Sequence, residues 1–153
     1  IVNHALNIQS NLLGVQDLSS AYKGALIPHL ITQELISLSV EKSTKPNFWV
    51  RESSQSSAEV DLIYSYKELV IPIEVKSGKT GALKSLHLFM DKVKHPYAVR
   101  IYAGDFVITE TKTPAGKSYF LLNLPYYLGT KIPEYLDYFV ENFDFNKGSK
   151  NVR

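Results

Sequence analysis

The acidic and basic side chains of Glu59-Val60-Asp61 and Glu74-Val75-Lys76 recur at the spacing of two paired strands. Side chains alternate along a strand. Glu59 and Asp61 therefore share one face, with Val60 and Leu62 on the other, and Glu74 and Lys76 share a face opposite Ile73 and Val75. If Lys67-Glu68 is a two-residue hairpin turn, facing residues have numbers that sum to 135. Asp61 then lies opposite Glu74, and Glu59 opposite Lys76. A three-residue loop would shift this register. Directly opposed side chains have Cβ atoms roughly 4.5–5.5 Å apart, where two carboxylates repel. A hard divalent cation such as Mg²⁺ reverses the sign of that term, because it prefers a few carboxylate oxygens plus water. The pattern is that of a metal-dependent centre beside a lysine.

Glu34 is the candidate third acid. On a helical wheel it falls within the apolar stripe of Leu26, Leu30, Ile31 and Leu38. It either faces the sheet with the other acids, where a lone charge would be costly, or reaches sideways to water from a frayed edge of the stripe.

The elements that position these residues follow from periodicity. Residues 25–40 read as a helix with Pro28 in its first turn. Strands are expected at Phe48–Arg51, Glu59–Tyr66 and Leu69–Lys76, and a second helix at Ala82–Val93. Further strands follow at Ala98–Tyr102, Phe106–Thr109 and Ser118–Leu122, with a closing helix at Pro133–Phe143. This order predicts an α/β fold with a mixed sheet flanked by helices. A short helix is expected around Ala5–Leu13 within an entry segment, 1–20, and residues 146–153 read as a tail.

A chain of 153 residues, 44% hydrophobic and 21% charged, suits one globular domain. No apolar run reaches membrane-spanning length. Zero cysteines exclude disulfides and thiolate metal sites, and the expected location is the cytoplasm. The net charge of +2 is uneven. Residues 1–75 carry 5 basic and 8 acidic side chains, residues 76–131 carry 9 and 3, and the remainder carry 3 and 4. A basic segment directly after an acidic pair suits a site facing a polyanion, although lysines also solubilise any surface.

An acid-bearing helix, then Asp61, then Glu74-Val75-Lys76 resembles the PD-(D/E)XK nuclease superfamily. More narrowly, Gly24–Glu34, Phe48-Trp49, Ala58–Asp61, Ile71–Gly78 and Leu83–Phe89 look like the C-terminal nuclease-like domain of bacterial and archaeal AAA-type ATPases. The resemblance implies a restriction-endonuclease-like sheet with an α-β-β-β-α-β core over residues 21–145, preceded by an ATPase part that would explain a chain opening on Ile1. It implies Mg²⁺ (or Mn²⁺) on Asp61, Glu74 and the Val75 carbonyl, with Lys76 positioning the attacking water and Glu34 assisting. The expected reaction is phosphodiester hydrolysis of nucleic acid. The alternative is an inactive module that binds nucleic acid or docks a partner. Where the family usually carries an acid near the start of the first helix, this chain has Pro28.

Lys79, Lys84 and Lys92 are candidate phosphate contacts, or else part of a solvated face. Gly78-Lys79-Thr80 lacks the upstream glycine of a nucleotide-binding loop, because Ile73 stands in its place. His4, His29, His87 and His95 show no metal-ligand spacing.

Overall fold

In the computed structural model, the residues described are 26, 29–34, 37, 47–51, 58–76 and 78–145. The expected entry helix and the tail lie outside them. Helix α1 is described over residues 29–34. There follow β1 (Asn47–Arg51), β2 (Ala58–Tyr66), β3 (Leu69–Val75), α2 (Lys84–Met90), β4 (Tyr97–Tyr102), β5 (Val107–Lys112) and β6 (Ser118–Pro125). A 3₁₀ turn, Tyr126–Lys131, leads into α3 (Ile132–Asn142). The element order matches the reading from periodicity.

The strands form one mixed six-stranded sheet in the order β1-β2-β3-β4-β6-β5. The pairs β1/β2, β2/β3 and β5/β6 are antiparallel, while β3/β4 and β4/β6 are parallel. The three central strands are almost wholly apolar and buried, as strands covered on both faces must be. β5, at the edge, is polar and largely exposed, which discourages pairing with another chain.

Side-chain alternation divides the core in two. Ile71, Ile73, Val99, Ile101, Leu122 and Leu124 pack toward α3, whose Ile132, Leu136 and Phe139 are fully buried. On the opposite face, Ala98, Tyr119 and Leu121 pack under α2 through Leu86, Phe89 and Met90. α2 is shorter than expected: the chain leaves the helix at Asp91, and the Lys117 ammonium bonds the carbonyls of Met90 and Val93. A cation there suits the negative end of a helix.

The hairpin between β2 and β3 uses the two-residue turn Lys67-Glu68. Lys67 supplies the positive φ, 52°, that tight hairpins need. Its ladder runs from Tyr66↔Leu69 to Leu62↔Ile73, the expected register. Strict alternation in β2 does not hold, however. Opposite β1, the pairing passes from Asn47↔Ile63 to Trp49↔Val60, so β2 spends one residue more than β1. This is a β-bulge at Asp61-Leu62. As a result Val60 packs with the α2 layer and Leu62 with the α3 layer, not on one face as alternation alone predicted.

Candidate functional site

Asp61 stands at the bulge, where β2 and β3 part. One step beyond Leu62↔Ile73, its Oδ2 accepts the backbone N–H of Val75 at 2.7 Å. The carboxylate takes the place of a main-chain acceptor across the mouth of the hairpin, so its position is fixed by backbone. Glu59 does not face Lys76 as the extended register implied. It pairs with Val50 of β1 and is exposed.

Glu74 is 5% exposed, on the sheet face opposite Val75. The Lys76 ammonium bonds its Oε1, while Oε2 is buried with no hydrogen bond among the described residues. The backbone of Lys76 is anchored on both sides. Its N–H donates to the Ile101 carbonyl at 2.8 Å, and its own carbonyl accepts from the Tyr126 hydroxyl. Gly81 lets the following loop pass over the lysine stem, because a Cβ there would lie 2.9 Å from Lys76 Cδ.

Burial pushes both carboxyls up. For Asp61, desolvation outweighs the Val75 N–H and the Lys76 charge, and Glu59 adds to the rise. For Glu74, desolvation leads, the Lys76 hydrogen bond opposes it, and the Asp61 charge adds to it. Repulsion between the two acids is thus present at Glu74 but secondary to burial. The folded state therefore holds the Glu74 proton more tightly than the unfolded chain does. This group's contribution to stability is complete below its ordinary pKa of 4.5 and is lost as pH rises through the raised folded value. Glu74→Gln keeps an acceptor for Lys76 and removes the titration. Its unfolding free energy should fall less than wild type's between about pH 4 and about pH 7. Parallel profiles in urea titrations at each pH would contradict this.

The structure does not bring Glu34 to the pair. Glu34 is exposed, and α1 docks through Ile31, which belongs to the α3-side core. Among the described residues no three His, Cys, Asp or Glu side chains are gathered to hold a metal ion. Lys79 and Lys84 are exposed on the loop and helix start that follow Lys76, while Lys92 is exposed beyond the other end of α2.

Two further residues extend the site. Parallel register places Arg100 of β4 beside Glu74 and Asn123 of β6 beside Arg100, making a polar row across the central strands on the α2 face. Sequence reasoning missed both, although a lone Arg in YAVRIY and a lone Asn in SYFLLNLP are conspicuous in buried strands. Two of the histidines are engaged by other groups. His87 meets the Tyr119 hydroxyl at 3.2 Å, and His95 bonds the Val70 carbonyl at 2.9 Å. A shallow groove of about 340 Å³ lined by Phe106, Glu134, Tyr135 and Tyr138 lies along α3.

The fold and site define an α/β domain with a mixed sheet, helices on both faces, and an acid pair with a lysine where β2 and β3 diverge. The family model described as "Domain of unknown function (DUF4143)" matches residues 23–127. The chain belongs to that family, which often stands C-terminal to AAA ATPases. No curated protein and no solved structure matches it. Among the described residues no helix is long and apolar enough to cross a membrane.

Proposed function

We propose that this domain is a PD-(D/E)XK-type nuclease module that hydrolyses phosphodiester bonds in nucleic acid, with Mg²⁺ or Mn²⁺ held by Asp61 and Glu74. The observation that carries the reading is the Oε2 of Glu74, a buried carboxylate oxygen without a hydrogen bond among the described residues, beside a second carboxylate whose proton affinity burial also raises. Such an arrangement is unfavourable alone and favourable around a dication. Mg²⁺ commonly takes only one or two protein carboxylates and completes its shell with water and substrate phosphate, so two acids suffice. The Val75 carbonyl remains a candidate further ligand.

A bound divalent ion would supply an activated water and charge stabilisation at the phosphoryl oxygens. The chain's own residues do the rest. Val75 N–H orients Asp61 by engaging Oδ2, which would leave Oδ1 to a bound metal. Lys76, tethered to Glu74 and anchored through its backbone, would offer its cation to a phosphate oxygen or the attacking water. One observation favours the second reading, a non-hydrolytic nucleic-acid-binding or docking module: Glu34 is exposed and gives the pair no third acid.

Thermal melts of the chain with and without millimolar Mg²⁺ or Mn²⁺, paired with cleavage assays on single- and double-stranded DNA and RNA, separate the readings. A metal-dependent rise in Tm together with cleavage is expected. A rise without cleavage of any substrate supports the binding module, and no rise removes the metal centre.

A further inference from the structure

Arg100 is the one charged residue in the apolar strand β4, and its Nε is buried with no hydrogen bond among the described residues. Among the described residues the ion pairs are Lys67–Asp137, Lys76–Glu74 and Lys131–Glu134, so no carboxylate neutralises the guanidinium. Neighbouring Glu74 already gives Oε1 to Lys76. The residue as a whole is half-buried, so its cation is partly desolvated and can still receive a group of opposite charge.

An aromatic ring packs against Arg100. Its guanidinium carbon lies 4.3 Å from the centroid of the Tyr102 ring. That ring is tied down by its hydroxyl, which donates to the Asp105 carbonyl at 2.7 Å. Gly104 makes room for it, because a Cβ there would meet the ring at 2.3 Å. The row lies toward the C-terminal ends of the parallel strands, beyond the Ala98 and Leu121 positions that α2 covers. Open α/β sheets characteristically bind ligands at that end.

We propose that Arg100 is the core of a phosphate-binding subsite that continues the acid pair across the sheet, with Tyr102 as its positioning residue. Planar guanidinium donors match phosphate oxygens two at a time. The proposal deepens the nuclease reading and rests on it only for the identity of the neighbouring metal. The phosphate comes either from a nucleic-acid backbone or from a free phosphate or mononucleotide.

The competing account is structural. Arg100 lies between two buried acceptors without partners among the described residues, Glu74 Oε2 and Asn123 Oδ1, and a rotamer change would bond it to one of them. Binding measured in chelator decides between the accounts. Wild type and Arg100→Gln are titrated with a single-stranded oligonucleotide and, separately, with inorganic phosphate at several salt concentrations. Arg100→Gln should weaken oligonucleotide binding about 10- to 100-fold, as expected for losing hydrogen bonds to a charged group. The dependence of log affinity on log salt should become shallower by about 0.7, one single-strand phosphate contact. A matching loss for inorganic phosphate identifies free phosphate as sufficient, whereas a loss confined to the oligonucleotide identifies the polymer backbone. Both outcomes support the subsite. Equal affinity and salt slope for the two proteins overturn it, as does a wild type that binds neither probe. Should Arg100→Gln not fold, Arg100→Lys serves instead, with weaker binding and an unchanged salt slope expected. Unchanged affinity again overturns the proposal. Because metal is absent throughout, failure of the metal reading does not alter these results.

Discussion

Asp61→Asn is expected to remove most of the stabilisation by Mg²⁺ while leaving the metal-free domain folded. The asparagine Oδ1 can still accept the Val75 N–H that Asp61 Oδ2 accepts now, so the mouth of the β2–β3 hairpin keeps its closure. Burial already penalises the Asp61 carboxylate, so removing its charge should leave the apo domain no less stable at neutral pH. The metal, by contrast, loses one of two carboxylates. Changes to residues that merely support ligands typically cost 10–100-fold in metal affinity, so loss of a ligand itself should cost more than about 100-fold. At a Mg²⁺ concentration of about 100 times the wild-type Kd, mass action stabilises the wild type by about 2.7 kcal/mol and the variant by about 0.4 kcal/mol. For a chain of this size the difference is a wild-type Tm rise of about 5–10 °C against about 1 °C. An equal rise in the two proteins would place the metal elsewhere on the chain.

Much of this architecture was legible in the residues, and the exceptions share a cause. Periodicity located the described strands and helices because each buries one face or both, and that requirement is written locally. The hairpin register followed from Lys67-Glu68 alone, because a two-residue turn fixes its strands. The bulge was not legible. Asp61-Leu62 reads as unbroken alternation, and the extra residue exists only relative to β1. It matters because it turns Asp61 toward the Val75 N–H. Glu34 failed to join the pair for a similar reason. Its helix docks through Ile31, whose Cδ1 would lie 2.6 Å from a Cβ on Gly129, so which part of the apolar stripe is buried was set by a distant turn. The Glu74–Arg100–Asn123 row requires two parallel registers between strands separated by helix and hairpin. A single strand shows only one odd polar residue, and the pairing sets three such residues side by side.

Lys76→Ala should separate metal binding from chemistry, with three linked effects. The first is on stability without metal. Glu74 is buried and its charge is met by the Lys76 ammonium, so deleting that ammonium leaves a carboxylate with neither water nor partner, at a cost of about 1–3 kcal/mol. Lys76 itself is partly exposed, which keeps the cost below that of breaking a fully buried pair. Losing the lysine raises the folded Glu74 pKa further. The deficit should therefore be greatest at neutral pH and shrink as acid protonates Glu74 in both folded and unfolded chains. The second effect is on metal. Oε1 of Glu74 is freed and the formal charge on Asp61, Glu74 and residue 76 falls from −1 to −2, so Mg²⁺ should raise the variant's Tm by at least as much as it raises wild type's. The third is on rate. A fixed cation facing the charge that develops on phosphate is worth about 10²–10³ in rate, and cleavage should fall by that factor at saturating metal. A variant that binds metal, regains its stability and cleaves at the wild-type rate would make Lys76 a counter-ion for Glu74 and nothing more. Loss of cleavage with metal binding intact is the pattern that a role for its ammonium in the reaction requires.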